Sequence, residues 1–132
     1  MNNQLRKASI DRYSRQIVLK DIGTIGQKKI ISAKVLIVGM GGLGSPVAEF
    51  LARAGVGSIG IVDDDKVSLS NLHRQSLYNT GDIGKFKVQV ARGKIKKINP
   101  SIKIKIYNIR LNKNNFKKII KDYDYIVDGS DN

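Results

Sequence analysis

The sequence predicts an α/β fold in which helices cover a mainly parallel sheet. Residues 35–38 and 58–62 are apolar runs rich in β-branched residues, which is typical of strands buried on both faces. Segments with apolar residues at helical spacing alternate with such runs, and a glycine-rich turn follows the first run directly. Strands that alternate with helices require parallel pairing through right-handed crossovers, so we predict a Rossmann-like, doubly wound sheet.

The composition of the 132 residues favours one domain with its own core, because the hydrophobic residues, 41% of the chain, are grouped into short runs. The chain contains no cysteine, which excludes a disulfide, a thiolate metal site and a catalytic thiol within it. No signal-peptide pattern follows Met1, and no apolar run reaches membrane-spanning length. We therefore expect a cytoplasmic protein with no membrane partner.

The formal charge of +13 and the pI near 10.1 are compatible with nucleic-acid binding. The lysines of residues 85–121 are, however, interleaved with isoleucine and asparagine, and no aromatic stacking platform accompanies them. We interpret them as a solvated surface with a general attraction to anionic ligands. We expect no nucleic-acid partner.

The N-terminal part, residues 1–33, is predicted to be a helical extension. Ser9 or Asp11 can cap a helix that continues to about residue 19, and residues 27–31 favour a second, short helix. No strand precedes the first helix, so this helix must dock on another part of the protein. Residues 34–132 are predicted to form the Rossmann-like domain.

The Rossmann-like domain is predicted to contain four strands. A helix over residues 44–54 follows the first strand, and an irregular segment in which Ser70 caps one helical turn follows the second. The next helix, over residues 85–97, ends at Pro100. The remaining elements are a half-exposed edge strand, a helix capped by Asn114 and a last strand, over residues 103–109, 114–121 and 123–127.

The glycine-rich turn predicts a nucleotide site. Gly39, Gly41 and Gly44 match the G-x-G-x-x-G spacing, in which the bare backbone turns tightly and approaches a phosphate at a helix N-terminus. Asp63 lies 19 residues past Gly44, where a carboxylate can accept hydrogen bonds from a ribose. The crevice of this fold opens between the first and fourth strands, so Asp131 is expected beside the glycine loop. Without further motifs, this spacing favours the dinucleotide fold of a dehydrogenase.

The chain ends on a polar turn, residues 128–132, directly after an apolar strand. A parallel sheet is normally covered on both faces, and no further helix follows to cover this edge. We therefore expect these residues to be the front part of a longer protein, with the Rossmann-like domain truncated at its C-terminus.

Eight short motifs occur in order from Arg12 onward, and in combination they resemble the ThiF/MoeB/HesA family of bacterial relatives of the ubiquitin-activating enzymes. The motifs are residues 12–16 (RYSRQ), 39–44 (GMGGLG), 54–57 (AGVG), 63–65 (DDD), 70–75 (SNLHRQ), 84–87 (GKFK), 98–100 (INP) and 128–132 (DGSDN).

The resemblance implies an adenylyltransferase that binds ATP and Mg²⁺ in the Rossmann-like domain. It would adenylylate the C-terminal glycine of a small ubiquitin-like sulfur-carrier protein in molybdopterin or thiamine biosynthesis, with motifs 12–16 and 63–65 tilting slightly toward thiamine. The residue types suit this chemistry, because a carboxylate must attack the α-phosphate of a polyanion and cations must neutralise the repulsion. The resemblance also implies a homodimer.

The resemblance further implies roles for individual residues. Arg74 and Lys87 would contact phosphates, together with Asn71, and Asp131 would bind Mg²⁺. Arg15 would reach across the homodimer interface into the partner's site. Arg15, Arg74, Lys87 and Asp131 are thus the expected catalytic residues. The expected nucleotide-binding residues are Gly39, Gly41, Gly42, Gly44, Asp63, Asp65, Asn71, Arg74, Gln75, Lys87, Asp131 and Asn132.

Several alternatives stay open from the sequence. Asp65 can be a second acidic ligand or a turn residue, and Asp128 can assist Asp131 or, as we favour, cap the strand turn. His73 is interpreted as solvent-facing, because a carboxylate substrate is already ionised and needs no general base. The alternative functions are a NAD-dependent oxidoreductase domain and an inactive, truncated nucleotide-binding or basic binding module. The reactive cysteine and paired CxxC motifs of many full-length relatives are absent, so thioester or persulfide chemistry is unsupported.

Overall fold

A four-stranded parallel sheet forms the centre of the computed structural model, which describes residues 5–130. The strands are β1 (Lys34–Val38), β2 (Ser58–Val62), β3 (Lys103–Tyr107) and β4 (Tyr125–Asp128). Their spatial order is β3-β2-β1-β4, and every neighbouring pair is parallel. The winding direction therefore reverses after β3, which confirms the predicted Rossmann-like, doubly wound fold class.

Helices precede and connect the strands in the described part of the chain. The α-helices are α1 (Lys7–Arg12), α2 (Ser14–Ile17), α3 (Gly23–Ser32), α4 (Gly44–Ala54), α5 (Lys87–Ile98) and α6 (Lys113–Ile120). Two short 3₁₀ turns, Leu69–Asn71 and Thr80–Asp82, lie between β2 and α5. Among residues 5–130, no helix combines the length and the apolar character needed to cross a bilayer.

The sheet is buried on both faces along β1. Leu36 and Ile37 are each 0% exposed and, as neighbours in a strand, point to opposite faces. Ile37 packs in one cluster with Ala52 of α4 and Ile95 of α5, whereas Leu36 packs in a second cluster with Ile119 of α6. The predicted reading of the first apolar run as a doubly buried strand is therefore confirmed.

β3 forms one edge of the sheet, as predicted from its alternating pattern. Lys103 and Lys105 are exposed, while Ile104 and Ile106 are partly buried against the larger core cluster. Lysines on an edge strand discourage pairing with a further strand, because their charges would face a new neighbour.

The predicted single helix over residues 9–19 is wrong in one respect, because two short helices meet at Tyr13. The backbone of Tyr13 has φ −106° and ψ 16°, and its side chain is only 2% exposed. Its hydroxyl accepts a hydrogen bond from Asn99 Nδ2 at 2.8 Å. A tertiary contact thus coincides with the break in the helical pattern. α3 is also longer than the predicted helix over residues 27–31.

The cap of α6 differs from the predicted one. Asn112, rather than Asn114, is the N-cap, and its Oδ1 accepts hydrogen bonds from the backbone N–H groups of Asn114 and Asn115 at 2.9 Å each. Asn115 Oδ1 in turn accepts from the backbone N–H of Asn112 at 2.8 Å. A reciprocal pair of this kind requires a side-chain acceptor three residues after the cap. Asn115 provides this acceptor for Asn112, which explains why Asn112 rather than Asn114 caps the helix.

Tyr123 lies over the middle of β2 instead of opening the last strand, which begins two residues later than the prediction, at Tyr125. A Cβ atom built on Gly60 would lie 2.2 Å from Tyr123 Oη. The hydroxyl groups of Tyr123 and Tyr107 are hydrogen-bonded at 2.9 Å. Gly60 therefore makes room for an aromatic ring that covers this face of the sheet.

Gly60→Ala should destabilise the fold by about 1–3 kcal/mol, because the added methyl group overlaps the Tyr123 ring and forces it to move. Gly93→Ala is the matched control. Gly93 lies on the exposed side of α5 with nothing within 4 Å of an added Cβ, so alanine should stabilise by about 0.5–1 kcal/mol. Urea unfolding of both variants measures the difference, and a neutral Gly60→Ala would contradict the described packing.

Candidate functional site

A cleft of about 660 Å³ opens at the carboxyl ends of β1, β2 and β4, where the predicted crevice lies. Its size is within the range of small-molecule sites. The lining residues are Val38, Gly39, Gly41, Val62, Asp63, Asp64, Asp65, Gln75, Lys87, Ile109, Arg110, Leu111, Phe116, Ile126, Asp128, Gly129 and Ser130.

The glycine loop joins β1 to α4, and two of its glycines have no room for a side chain. Gly39 has φ +91°, and a Cβ there would lie 2.9 Å from the carbonyl carbon of Gly129. A Cβ on Gly44 would lie 1.7 Å from the carbonyl oxygen of Gly39. The backbone of the loop therefore packs directly on itself and on the turn after β4. The predicted strand, tight turn and helix are all present.

Met40 is held through both of its backbone polar groups. Its N–H donates to Asp63 Oδ2 at 2.8 Å. Its carbonyl oxygen accepts from Tyr78 Oη at 2.7 Å and from Ser45 Oγ at 3.1 Å. Met40 itself is 0% exposed. Sequence analysis identified Asp63 but missed Met40, Tyr78 and Ser45, because no motif links an acid, a hydroxyl and a tyrosine so far apart in the chain.

The segment from Arg74 to Tyr78 forms a wall along the glycine loop. The Cγ atom of Arg74 is 3.7 Å from the position of a Cβ on Gly42, and Gln75 Nε2 is 3.3 Å from that of a Cβ on Gly41. Tyr78 contacts Met40 as described above. The structure thus brings the predicted residues Arg74 and Gln75 to the predicted loop. Arg74 faces Gly42, Gln75 faces Gly41 and Tyr78 faces Met40, so the two segments run in opposite directions.

Lys87 is a buried cation without an anionic partner in the described part of the chain. It is 5% exposed and lines the cleft, and its side chain has neither a hydrogen bond nor an ion pair among residues 5–130. Its backbone N–H, at the start of α5, donates to the carbonyl of Asp65 at 3.0 Å. A cation that lines a cleft without a carboxylate partner among these residues is suited to an anionic ligand.

Gln75 carries a second unpaired polar group. Its side chain is 4% exposed, and Oε1 is the one buried side-chain oxygen or nitrogen without a hydrogen bond among the residues that the structure describes. Buried polar atoms are rarely left unpaired, and exceptions are concentrated at functional sites. Gln75 and Lys87, both predicted as nucleotide-binding residues, line the same cleft.

Three consecutive aspartates follow β2. Carboxylate oxygens of Asp63, Asp64 and Asp65 lie within 4.8 Å of one another, and all three residues line the cleft. Asp63 also accepts from the backbone N–H of Asp65 at 2.8 Å, so its carboxylate holds both the glycine loop and its own turn. Each oxygen still has a free lone pair. Asp64 was missed as a lining residue.

Five of the predicted residues that the structure describes lie outside the lining of this cleft: Gly42, Gly44, Asn71, Arg74 and Arg15. Asn71 Oδ1 accepts from Ser68 Oγ at 2.6 Å, and the 3₁₀ turn that contains Asn71 begins at Leu69 without the predicted Ser70 cap. Arg74 is exposed, with Nη1 donating to the Ser70 carbonyl at 3.2 Å. Arg15 is exposed on α2 and does not line the cleft of its own chain.

The turn after β4 closes the cleft next to the glycine loop. Asp128 Oδ1 accepts from the Ser130 hydroxyl at 2.5 Å and from its backbone N–H at 3.0 Å, which lowers the pKa of Asp128. The carboxylate therefore caps this turn, as favoured from the sequence. The predicted site residues Asp131 and Asn132 lie outside the described residues.

One wall of the cleft is apolar and was not predicted. It consists of Ile109, Leu111, Phe116 and Ile126, with Arg110 at its rim. The available signal was general: segments that follow the carboxyl ends of strands border the ligand crevice in this fold. The segment after β3 carried no motif that would have named individual residues.

Comparisons with known proteins give one consistent family. The ThiF family matches residues 13–132. The sulfur carrier protein adenylyltransferase of Thermus thermophilus is 45% identical over 126 residues, covering 96% of this chain and 46% of that protein. The probable molybdopterin-synthase adenylyltransferase of Gracilaria tenuistipitata var. liui is 44% identical over 131 residues, covering 99% of this chain and 37% of that protein. The chain thus spans less than half the length of these relatives.

A solved structure with the same fold contains a nucleotide. The E. coli tRNA N6-threonylcarbamoyladenosine dehydratase TcdA in complex with ATP superposes with a TM-score of 0.88 at 26% sequence identity. The match covers 98% of this chain and 53% of that one.

Tyr78→Phe should lower the free energy of unfolding by about 1 kcal/mol at neutral pH, because the Met40 carbonyl loses one of its two side-chain donors. Tyr125→Phe is the matched control, since Tyr125 is 65% exposed. It should leave the stability unchanged in urea unfolding, and equal losses in the two variants would contradict the described role of Tyr78.

The same variant should change the dependence of stability on pH. Burial raises the pKa of Tyr78 far above its ordinary value of 10.0. The Ser45 hydrogen bond opposes this rise, and the charges of Asp63 and Asp82 add smaller increases. The folded state keeps this proton above pH 10, whereas the unfolded chain releases it, so wild-type stability should fall there by up to about 1.4 kcal/mol per pH unit. Unfolding from pH 8 to 11 should show this loss reduced in Tyr78→Phe; an identical slope in both proteins would refute it.

Proposed function

The chain belongs to the ThiF family, and from this premise we propose that it is the ATP-binding part of an adenylyltransferase. The substrate is the C-terminal glycine of a small ubiquitin-like sulfur-carrier protein. Two relatives bear the names sulfur carrier protein adenylyltransferase and molybdopterin-synthase adenylyltransferase, which supports this substrate class. The location proposed for the reaction is the cytoplasm.

The single observation that carries the proposal is Lys87 at the cleft, whose side chain has no hydrogen bond or ion pair among residues 5–130. A phosphate is the anion that best fits this position, because Gly39 and Gly41 of the glycine loop, which leads into the N-terminus of α4, line the same cleft as Lys87. The Arg74 side chain runs over Gly42 and has no carboxylate partner among residues 5–130, so it supplies a second cation.

The rest of the cleft suits the nucleoside. The free lone pairs of Asp63 can accept hydrogen bonds from ribose hydroxyls while its two existing bonds hold the loop. The apolar wall of Ile109, Leu111, Phe116 and Ile126 offers a face for a purine base. ATP in the TcdA structure supports the assignment of the same nucleotide here.

Mg²⁺ fits the donors at the cleft, because these are carboxylates and Mg²⁺ prefers oxygen ligands. We propose that Asp131 holds the ion, and Asp64 and Asp65 are further carboxylates on the cleft wall. When bound, the ion would neutralise part of the triphosphate charge.

The proposed reaction forms one bond and breaks one. A carboxylate oxygen of the terminal glycine attacks the α-phosphorus of ATP, and the bond from that phosphorus to the β-phosphate bridging oxygen breaks, giving acyl-adenylate and pyrophosphate. No general base is required, because the carboxylate is already ionised at neutral pH. The protein contributes by position and by charge: Lys87 and Arg74 stabilise the phosphates, and the fixed loop aligns them.

A homodimer is the proposed assembly, with Arg15 acting in the partner's cleft. Arg15 is exposed and has no partner among residues 5–130. Leu43, the residue before α4, and Phe50, on α4, are 66% and 63% exposed, and Val18, three residues after Arg15, is 76% exposed. Exposed apolar residues of this size are suited to burial against a second copy.

The test is carrier-dependent exchange of labelled pyrophosphate into ATP, measured on the whole gene product with a molybdopterin-type and a thiamine-type carrier. Lys87→Ala should lower the exchange rate on the order of 100-fold, because one charge-stabilising donor is lost. The exposed Lys85, two residues earlier, gives the matched control Lys85→Ala, which should change the rate less than about twofold. Asp131→Ala should abolish exchange. Carrier-independent exchange, or equal effects of the two lysine variants, would rule the proposal out.

The oxidoreductase alternative is tested by titration. The proposal requires Mg²⁺-dependent binding of ATP and little affinity for NADH, both measurable by calorimetry with Lys87→Ala as the negative control. Tight NADH binding with weak ATP binding would favour the dehydrogenase reading instead.

A further inference from the structure

Residues of three sequence motifs that have no role of their own in the proposed chemistry converge on one buried polar cluster. Tyr13, Gln16, Gln27 and Asn99 form this cluster, which we name the N-terminal clamp. Tyr13 and Gln16 belong to the motif at residues 12–16, Asn99 to the motif at 98–100, and Gly55 of the motif at 54–57 packs against them. The cluster joins the N-terminal helices to the Rossmann-like core.

The side chains of the clamp are closely packed and linked by hydrogen bonds. Asn99 is 0% exposed, and its Nδ2 donates to Tyr13 Oη and to the carbonyl of Ala52, both at 2.8 Å. Gln27 is also 0% exposed, and its Nε2 donates to the carbonyl of Ala54 at 3.0 Å. Gln16 Nε2 completes the network by donating to Gln27 Oε1 at 2.6 Å and to Ala54 at 2.9 Å.

Gly55 shows how little space the clamp leaves. Its φ of +98° ends α4 in the left-handed conformation, and a Cβ there would lie 2.6 Å from Tyr13 Cζ and 2.9 Å from Gln27 Nε2. The side chains of Tyr13 and Gln27 therefore pack directly against the backbone at the end of α4, which leaves no space for a different position of the N-terminal helices. Arg12 adds a contact to the neighbouring helix, since its Nη1 donates to the carbonyl of Ile98 at 3.0 Å.

The acceptors are the last carbonyls of two helices that begin at the cleft. Helix C-termini leave carbonyls without intrahelical partners. The clamp donates to those of Ala52 and Ala54, and Arg12 donates to that of Ile98. α4 has 11 residues and starts at the glycine loop, while α5 has 12 residues and starts at Lys87. Both helices are rigid connectors of roughly 16–18 Å between the cleft and the clamp.

Arg15 lies between clamped neighbours and is itself unbound. Arg12 and Tyr13 are held on one side and Gln16 on the other, whereas the Arg15 side chain is exposed and has no partner among the described residues. Holding the backbone of a functional arginine in advance reduces the entropy lost when its guanidinium engages an anion.

We propose that the N-terminal clamp positions Arg15, so that its residues act on the reaction through Arg15 and not through the nucleotide cleft of their own chain. This inference rests on the proposed function, because Arg15 is assigned there to the partner's site. A clamp with a purely structural role would influence stability but would have no reason to act through one side chain.

A double-mutant cycle on the whole gene product tests the proposal by carrier-dependent pyrophosphate exchange. Tyr13→Phe removes only the hydroxyl that Asn99 binds, and Arg15→Ala removes the positioned group. Arg15→Ala should lower kcat on the order of 100-fold and Tyr13→Phe on the order of tenfold, with the KM for ATP unchanged in the latter. The double variant should be no slower than Arg15→Ala alone. Tyr125→Phe, far more exposed, is the control and should retain full activity.

Gln16→Ala is the second variant, in case Tyr13→Phe folds poorly. It releases Arg15 from the other side while the Gln27 bond to Ala54 remains, and it should show the same dependence on Arg15. Effects that multiply, giving a double variant on the order of 1000-fold slower, would overturn the proposal. So would an Arg15→Ala variant with wild-type exchange, which leaves the proposed function intact. Absence of carrier-dependent exchange in the wild type would instead remove the proposed function itself.

Discussion

The fixed backbone of Met40 is the constraint on which the rest of the site depends. An acid from the turn after β2 accepts its N–H, and a tyrosine and a serine donate to its carbonyl. The three partners come from separate parts of the chain, so the loop conformation is determined by tertiary contacts and not by glycine spacing alone. The N–H groups of Gly41 and Gly42 have no hydrogen bond among the described residues, so these amides are available to a ligand. A loop held in this way needs little reorganisation on binding.

The charge distribution gives Lys87 a different meaning from the other lysines. The chain carries a formal charge of +13, and the described residues contain two ion pairs, Arg53 with Glu49 and Lys94 with Asp82. Exposed lysines such as Lys103 and Lys117 are hydrated and need no partner. Lys87 is 5% exposed and lines the cleft, so its side chain has less contact with water than theirs. Burial at the cleft, rather than charge alone, therefore distinguishes Lys87 from the exposed lysines.

The sequence was sufficient for the parts of the fold that follow from local patterns. The β-branched runs predicted the strands correctly, and the glycine spacing predicted the loop, because both patterns depend on residues that are close in the chain. Contacts between distant residues decided the rest. The break at Tyr13 coincides with its hydrogen bond to Asn99, and the role of Tyr78 depends on Met40. The apolar wall combines Ile109 and Leu111, after β3, with Phe116 of α6 and Ile126 of β4. None of these pairs has a periodicity or spacing that a single sequence reveals.

The direct packing of Gly39, Gly44 and Gly129 separates the site into a part that cannot vary and a part that can. Backbone atoms meet there without any intervening side chain, so no compensating substitution nearby could restore the fit after one glycine is replaced. The residues of the apolar wall, by contrast, meet the cleft through side chains that can be exchanged singly. We therefore expect substitutions that change ligand specificity to occur in that wall. The three glycines should be retained together.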